Sequence, residues 1–370
     1  MAVAFLDLGR QIAAMRGELE AATARVLESG RFVLGEEGEA LEQEFAAACG
    51  AAHGVGVASG TDAVELALRA VGVQPGDEVV TQANTCVPTV TAIVRAGGTP
   101  VLCDADPRSG AIDLGSLEAA LSQRTRAVVP VHLYGQCADT EAIVGLCQPR
   151  GIAVVEDCAQ AHAASLRGRI AGTIGAAGAF SFYPTKNLGG LGDGGAVITG
   201  NADVAERLRL LRHYGQVGGY RHERFGVNSR LDEIQAAIVR AKLPNLEAWT
   251  ERRRQIASVY SAALRDGPVE PLVELPARRH AFHLFVLRAP DRDRLRADLA
   301  ARGIATLIHY PLPIHRQPVF ANLADGPVPL SGAEKLAAGV LSLPLYPELT
   351  DEEVDAVATA AAQAAANLPA

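Results

Sequence analysis

Lysine is scarce in this 370-residue sequence: of 34 basic residues only Lys186, Lys242 and Lys335 are lysines. High-GC coding bias is the plain explanation, and it leaves few candidates for amine chemistry. Also missing is any run near the roughly 18 consecutive apolar residues needed to span a bilayer, so no membrane segment is expected. The opening MAVAFLDLGRQIAAMRGELE lacks a basic stretch followed by an apolar one and does not read as a secretory signal. Cys49, Cys86, Cys103, Cys137, Cys147 and Cys158 form no CxxC pair. Buried free thiols in a reducing cytoplasm fit that scatter, and a bound metal is not expected at these spacings. Positive charge is in deficit: the formal net charge of −8 argues against nucleic acid as a partner, because phosphates need a basic excess. A small anionic ligand, which needs only a local cluster of donors, stays open.

What is present is an ordinary globular balance, 21 % charged and 49 % hydrophobic, at a length suited to one large domain and a smaller one. Between about Gly54 and Thr199 short apolar runs alternate with amphipathic ones: GVGVAS, AVELALRAVGV, DEVVT, PTVTAIVRAG, TPVLCDAD, RAVVPVHL and IAVVED. Near-continuous apolar strands between helices predict an α/β fold, a mainly parallel sheet covered on both faces. After Asn201 the pattern is helical, and Pro244 marks a stop or kink between two helices. Residues 1–245 are expected to form a large ligand-binding domain. Residues 246–370 are expected to hold a long helix and a smaller α+β domain. Thr350 and Glu353 have the spacing of a capping box at the start of the last helix.

Lys242 and Lys335 sit on helical patterns and read as solvated charges. Lys186 differs: it follows the strand AFSFYP and leads into NLGGLGDGGA, whose glycines cost backbone entropy and need a reason. A lysine desolvated at a strand end has a lowered pKa and can attack an aldehyde, as a Schiff-base enzyme using pyridoxal 5′-phosphate (PLP) requires. Such a cofactor also needs an acid beside its pyridine nitrogen. Asp157 ends IAVVED at the carboxyl edge of the expected sheet, where ligands bind in open α/β folds. Taken alone, Asp157 is better explained as a strand-end Asp capping the next helix; Gln160 and His162 in EDCAQAHAA add weight to the cofactor reading. The turn ASGTDA puts backbone N–H groups at a helix N-terminus, suited to a phosphate, and the Ser181 hydroxyl is a second candidate donor.

Five segments, SGTDA (59–63), VPVHLYGQ (129–136), EDCAQAHAA (156–164), FSFYPTKNLGGLGDGGA (180–196) and GVNSRLDEIQAA (226–237), occur here in order. This set resembles the DegT/DnrJ/EryC1/StrS family of nucleotide-sugar aminotransferases, which are fold-type-I PLP enzymes. The resemblance implies a large α/β/α domain with a smaller C-terminal α+β domain. It implies that Lys186 is the Schiff-base lysine and proton carrier, that Asp157 keeps the pyridine nitrogen protonated, and that Gln160 lies near the phenolic oxygen or ring face. Gly60, Thr61 and Ser181 then resemble phosphate donors, and Asn228 a phosphate contact given by the neighbouring subunit of a homodimer. For His162 a structural hydrogen bond is at least as good a reading. Cys86 stands in NTCVPTV where many relatives carry an aromatic residue against the cofactor ring. Relatives that dehydrate sugars without a Schiff base replace the lysine with histidine, which the presence of Lys186 disfavours.

The reaction implied has two halves, with pyridoxamine phosphate as the intermediate cofactor form: an amino acid, usually glutamate in this family, donates its amine, and a nucleotide-linked keto-sugar receives it. For that bulky anion the sequence offers Tyr183, the basic loop GGYRHERFG with Tyr220, Arg221, His222 and Arg224, and Arg230. Each arginine is equally a solvated surface charge. IHYPLPIHRQP carries His309, Tyr310 and His315 on a proline-stiffened loop. It resembles the loop of relatives acting on dTDP-linked 3-keto-6-deoxyhexoses; 4-keto sugars, UDP-linked 3-keto sugars and keto-cyclitols are the alternatives.

Overall fold

The alternating segments assemble into one seven-stranded sheet in the computed structural model, which describes residues 2–265 and 267–368. Two helices come first, α1 (Leu8–Ser29) and α2 (Glu36–Cys49). The following strands are β1 (His53–Val57), β2 (Glu78–Gln82), β3 (Thr99–Cys103), β4 (Thr125–Val129) and β5 (Ala153–Asp157). A short hairpin, β6 (Ser165–Leu166) and β7 (Arg169–Ile170), precedes β8 (Ala177–Ser181) and β9 (Gly195–Thr199). The sheet order is β1-β9-β8-β5-β4-β2-β3, with β9 antiparallel to both neighbours and the other pairings parallel.

Both faces of this sheet are covered, which is why its strands read as unbroken apolar runs. Val197 and Ile198, adjacent on β9, belong to different cores: one with Leu66, Val79, Val155 and Leu208, the other with Phe45, Phe180, Leu231 and Val239. β2, β8 and β9 are buried at every position. Helix α3 (Gly60–Ala70) follows β1 directly and α4 (Val87–Arg95) follows β2, so their N-termini share one edge of the sheet.

Past Asn201 the helical stretch gives Ala202–Leu211, Glu233–Lys242 and Leu246–Ala263, and a 3₁₀ turn at Leu243–Asn245 holds Pro244. The second unit is a three-stranded antiparallel sheet (Glu270–Pro271, Phe285–Arg288, Val340–Leu343). Its core also takes residues from Leu246–Ala263, Arg292–Ala301 and Asp351–Ala366. The chain's start joins it, for Val3 pairs with Ile304 and packs into that core. Thr350 and Glu353 form the reciprocal capping box that their spacing predicts, and Arg10 clasps Glu353 from α1.

Candidate active site

Five strands, β1, β2, β4, β5 and β8, end at the same edge, and the segments leaving them enclose a cavity of about 430 Å³. Each local piece follows from its sequence. Ser59 caps α3 by accepting from Asp62 N–H at 3.1 Å. That leaves the N–H groups of Gly60 and Thr61, the first in the helix, without intrahelical acceptors at the cavity wall. Gly60 is required here because a Cβ on it would lie 2.5 Å from Ser181 Cβ. The helix N-terminus and the Ser181 hydroxyl thus face one space.

Asp157 closes β5 and is 5 % exposed. One carboxylate oxygen accepts from Thr89 Oγ1 at 2.8 Å and the other from Ala159 N–H at 3.1 Å. Burial still pushes its pKa above the ordinary carboxylate range, against the lowering effect of those donors and of Lys186. Lys186 leaves β8 through a turn closed by its own N–H to Tyr183 C=O at 2.9 Å. Burial lowers its ammonium pKa below the usual lysine value, with Cys86 and Asp157 pulling the other way. The glycines after it have steric reasons: a Cβ on Gly189 would meet Pro184 C=O at 2.5 Å.

Gln160 is held at both ends. Its Oε1 accepts from Tyr134 N–H at 2.7 Å and its Nε2 donates to the Tyr310 phenol at 3.0 Å. Tyr310 also faces the Cys86 thiol, whose pKa burial raises. His309, from the proline-stiffened loop, bonds through Nδ1 to Ser342 Oγ at 2.8 Å, and burial lowers its pKa to about 4.

Gly60, Thr61, Cys86, Asp157, Gln160, Ser181, Tyr183, Lys186, His309 and Tyr310 therefore share this cavity. The other expected residues lie elsewhere. Asn228 is exposed outside it, pairing through its backbone with His213. Tyr220 is 90 % exposed, Arg221 bridges to Glu223, and His222 bonds to Tyr214 C=O. Arg230 holds His213 at 3.0 Å. His315 does not meet this chain's cavity: it is buried with Nε2 on Glu334 at 3.2 Å, because the loop turns through Ile314–Arg316 and points it into the protein.

Lys242 corrects another expectation. It is 1 % exposed, not solvated, and its Nζ donates to Gly189 C=O at 2.9 Å beneath the glycine loop. Lys335 is exposed as its spacing suggested. His162 sits among Phe45, Phe180 and Phe182, and neither ring nitrogen has a hydrogen-bond partner among the described residues. Sequence reasoning overlooked Thr89, Asp193 and His283 in the cavity wall. Thr85 and Thr89, four apart and bonded at 3.1 Å, offered a signal at one helix end. His283 offered none locally.

His132, Glu156 and Cys158 cluster closely enough for a metal, but hydrogen bonds already use them. His132 accepts from Ala138 N–H at Nδ1 and donates from Nε2 to Glu156, which also takes the N–H groups of Gly172, Ile174 and Gly175. They hold the turns behind Asp157. At the cavity itself, a helix N-terminus with a hydroxyl, an under-compensated buried carboxylate and a desolvated lysine fit the phosphate, pyridine nitrogen and aldehyde of PLP.

Residues 14–362 match the model of the DegT/DnrJ/EryC1/StrS aminotransferase family. The chain is 48 % identical over 348 residues to a dTDP-3-amino-3,4,6-trideoxy-alpha-D-glucose transaminase of Streptomyces venezuelae, covering 94 % of this chain and 92 % of that one. It is 45 % identical over 359 residues to a UDP-N-acetyl-3-dehydro-alpha-D-glucosamine 3-aminotransferase of Acidithiobacillus ferrooxidans, covering 97 % and 96 %. The crystal structure of S. venezuelae DesV in complex with a ketimine intermediate superposes with a TM-score of 0.96, at 46 % identity and full coverage of both chains. With this fold, this cavity and these matches, the chain belongs to the DegT/DnrJ/EryC1/StrS aminotransferase family.

Proposed function

We propose that this aminotransferase moves an amino group from an amino acid such as glutamate to a keto-sugar carried on a nucleoside diphosphate, with a dTDP-3-keto-6-deoxyhexose as the preferred acceptor. The observation that carries the reading is the meeting of Lys186 and Asp157 in one cavity at the carboxyl edge of the sheet. PLP, when bound, supplies an electron-withdrawing ring that makes a proton on the neighbouring carbon removable. Lys186 Nζ, whose ammonium pKa burial lowers, would hold the cofactor aldehyde and, when free, could carry that proton. Asp157 holds a proton on the pyridine nitrogen through charge, and Thr89 and Ala159 fix its carboxylate. Gly60, Thr61 and Ser181 receive the phosphate. Gln160, braced by Tyr134 and Tyr310, orients the ring's polar edge. Cys86 fills the place beside the ring, and Tyr183 and His309 border the acceptor's side.

Charge supports a homodimer with shared active sites. Lys186 is the one cation among the described residues lining the cavity, against Asp157 and Asp193. A nucleoside diphosphate and an amino-acid carboxylate need more positive charge than that. The loop with Tyr220, Arg221 and His222, together with Arg230 and Asn228, is outside its own cavity and available to a second copy. Six free cysteines favour a reducing compartment, the cytoplasm.

The similarity to a UDP-linked 3-dehydro sugar aminotransferase supports one second reading, a UDP-linked 3-keto acceptor. Turnover is measured on dTDP-3-keto-6-deoxyhexose, its 4-keto isomer and a UDP-linked 3-keto sugar. Activity confined to the 4-keto isomer would sink the proposal. A visible violet-blue band on adding PLP, absent in Lys186→Ala, checks the anchor.

A further inference from the structure

His283 lies 97 positions from Lys186 in the sequence, yet both line the cavity, and no function above uses it. Its backbone is clamped. Ala281 N–H donates to Gly135 C=O at 2.8 Å, a Cβ on Gly135 would lie 2.9 Å from His283 N, and Arg253 donates to the carbonyls of Phe282 and His283. Its ring is oriented by Asn187, the residue after the lysine. Asn187 Nδ2 donates to Ala281 C=O at 2.9 Å, which turns the amide oxygen towards His283 Nδ1 at 3.2 Å. An oxygen there requires the proton on Nδ1.

Burial first, then Lys186, Arg253, His309 and His162, hold His283 neutral. A neutral imidazole with Nδ1–H has a lone pair on Nε2, and among the described residues that atom has no hydrogen-bond partner. Of the charges acting on the ring, Lys186 acts most strongly. The cavity therefore holds an amine that the proposed cycle frees and, in the same wall, an acceptor locked in orientation.

We propose that His283 is a positioning residue for Lys186: its Nε2 lone pair receives Nζ–H whenever the lysine is released from the cofactor, and keeps the amine over the reacting carbon. Without that acceptor the amine is left to Asp193, the other charged acceptor lining the cavity. The inference rests on the aminotransferase reading and adds the group that holds the proton carrier between its two duties.

Two measurements test it. In apoprotein labelled with ¹⁵N-histidine, long-range proton–nitrogen spectra report the tautomer, with His283 identified by its loss in His283→Gln. Protonated Nδ1 and bare Nε2 are expected, and a proton on Nε2 overturns the proposal. Single-turnover amine transfer from the pyridoxamine-phosphate form to the keto-sugar is then compared across variants. His283→Leu is expected to slow it about tenfold, the worth of one hydrogen bond lost in the transition state. His283→Gln, whose amide oxygen can accept, recovers most of that rate, and KM for the sugar changes by less than about twofold. Equal slowing in both variants, or an effect confined to KM, overturns the role. A wild-type protein that takes up no PLP overturns the aminotransferase reading instead, while the tautomer measurement judges the acceptor separately.

Discussion

Gly60→Ala isolates the contact on which the proposed phosphate binding turns. The new methyl would stand 2.5 Å from Ser181 Cβ, 2.9 Å from Ser181 Oγ and 3.1 Å from Ser181 Cα. Apolar carbons settle near 3.5–4.0 Å, so α3 and β8 must part by about 1 Å at the turn whose N–H groups face the cavity. Two effects compete. Alanine favours a helix over glycine by about 1 kcal/mol, and the Gly60 backbone is within reach of any L-residue. Overpacking costs about 1–3 kcal/mol, and here the neighbour is a buried strand with nowhere to go. The clash wins, and because it displaces the donors themselves its main expression is in binding. PLP affinity, read from the growth of the visible band in a titration, is expected to fall about ten- to a hundredfold. The control is built into the geometry. Ser181→Ala keeps the offending Cβ and cannot relieve Gly60→Ala, whereas Ser181→Gly removes it. Gly60→Ala/Ser181→Gly is therefore expected to bind within about threefold of Ser181→Gly alone, the additivity limit for a relieved contact. Wild-type affinity in Gly60→Ala, or no relief in the double variant, would refute the reasoning.

Asp157→Asn keeps the size of the side chain and removes its charge. Removing one partner of a buried charge pair costs about 3–5 kcal/mol, so the single-turnover rate should drop by roughly 10²–10⁴-fold while the protein stays folded. A loss under about fivefold would deny Asp157 the pyridine nitrogen. Lys242→Met concerns stability. Burial lowers the Lys242 pKa from 10.5 to about 8, so below pH 8 the fold carries the full cost of a buried ammonium, roughly 3 kcal/mol, and sheds it as pH rises from 8 to 10.5. The variant forfeits the bond to Gly189 C=O, worth about 1 kcal/mol, and should gain about 2 kcal/mol net in urea unfolding at pH 7, with the gain shrinking by pH 10. An equal gain at both pH values contradicts the assignment.

Much of this site was legible because its pieces are local. Ser59, Gly60 and Thr61 are a strand–turn–helix junction, Asp157 is a strand end, and Lys186 precedes glycines that pack against Pro184 and Gln235. Alternation of apolar runs with helices announced a parallel sheet because both of its faces are buried. Lys242 was misjudged because helical spacing tells which residues share a face, not what covers that face. Here α1, α2 and the glycine loop cover Glu233–Lys242. His315 lies outside this chain's cavity for a related reason: a loop's composition does not say which way its turns aim each side chain.

By itself, then, the sequence determined the strand–helix order, the edge that carries the cavity and the lysine and aspartate that meet there. These follow from periodicity and strand ends, which are written within a few residues of one another. Only the tertiary structure decided that His309, Tyr310 and His283 complete the wall and that the basic loop lies outside its own cavity. Those placements depend on packing between segments far apart in the chain, and no local pattern carries that information. Lys186 could be singled out from its neighbours in the chain; what holds it could be found only from its neighbours in space.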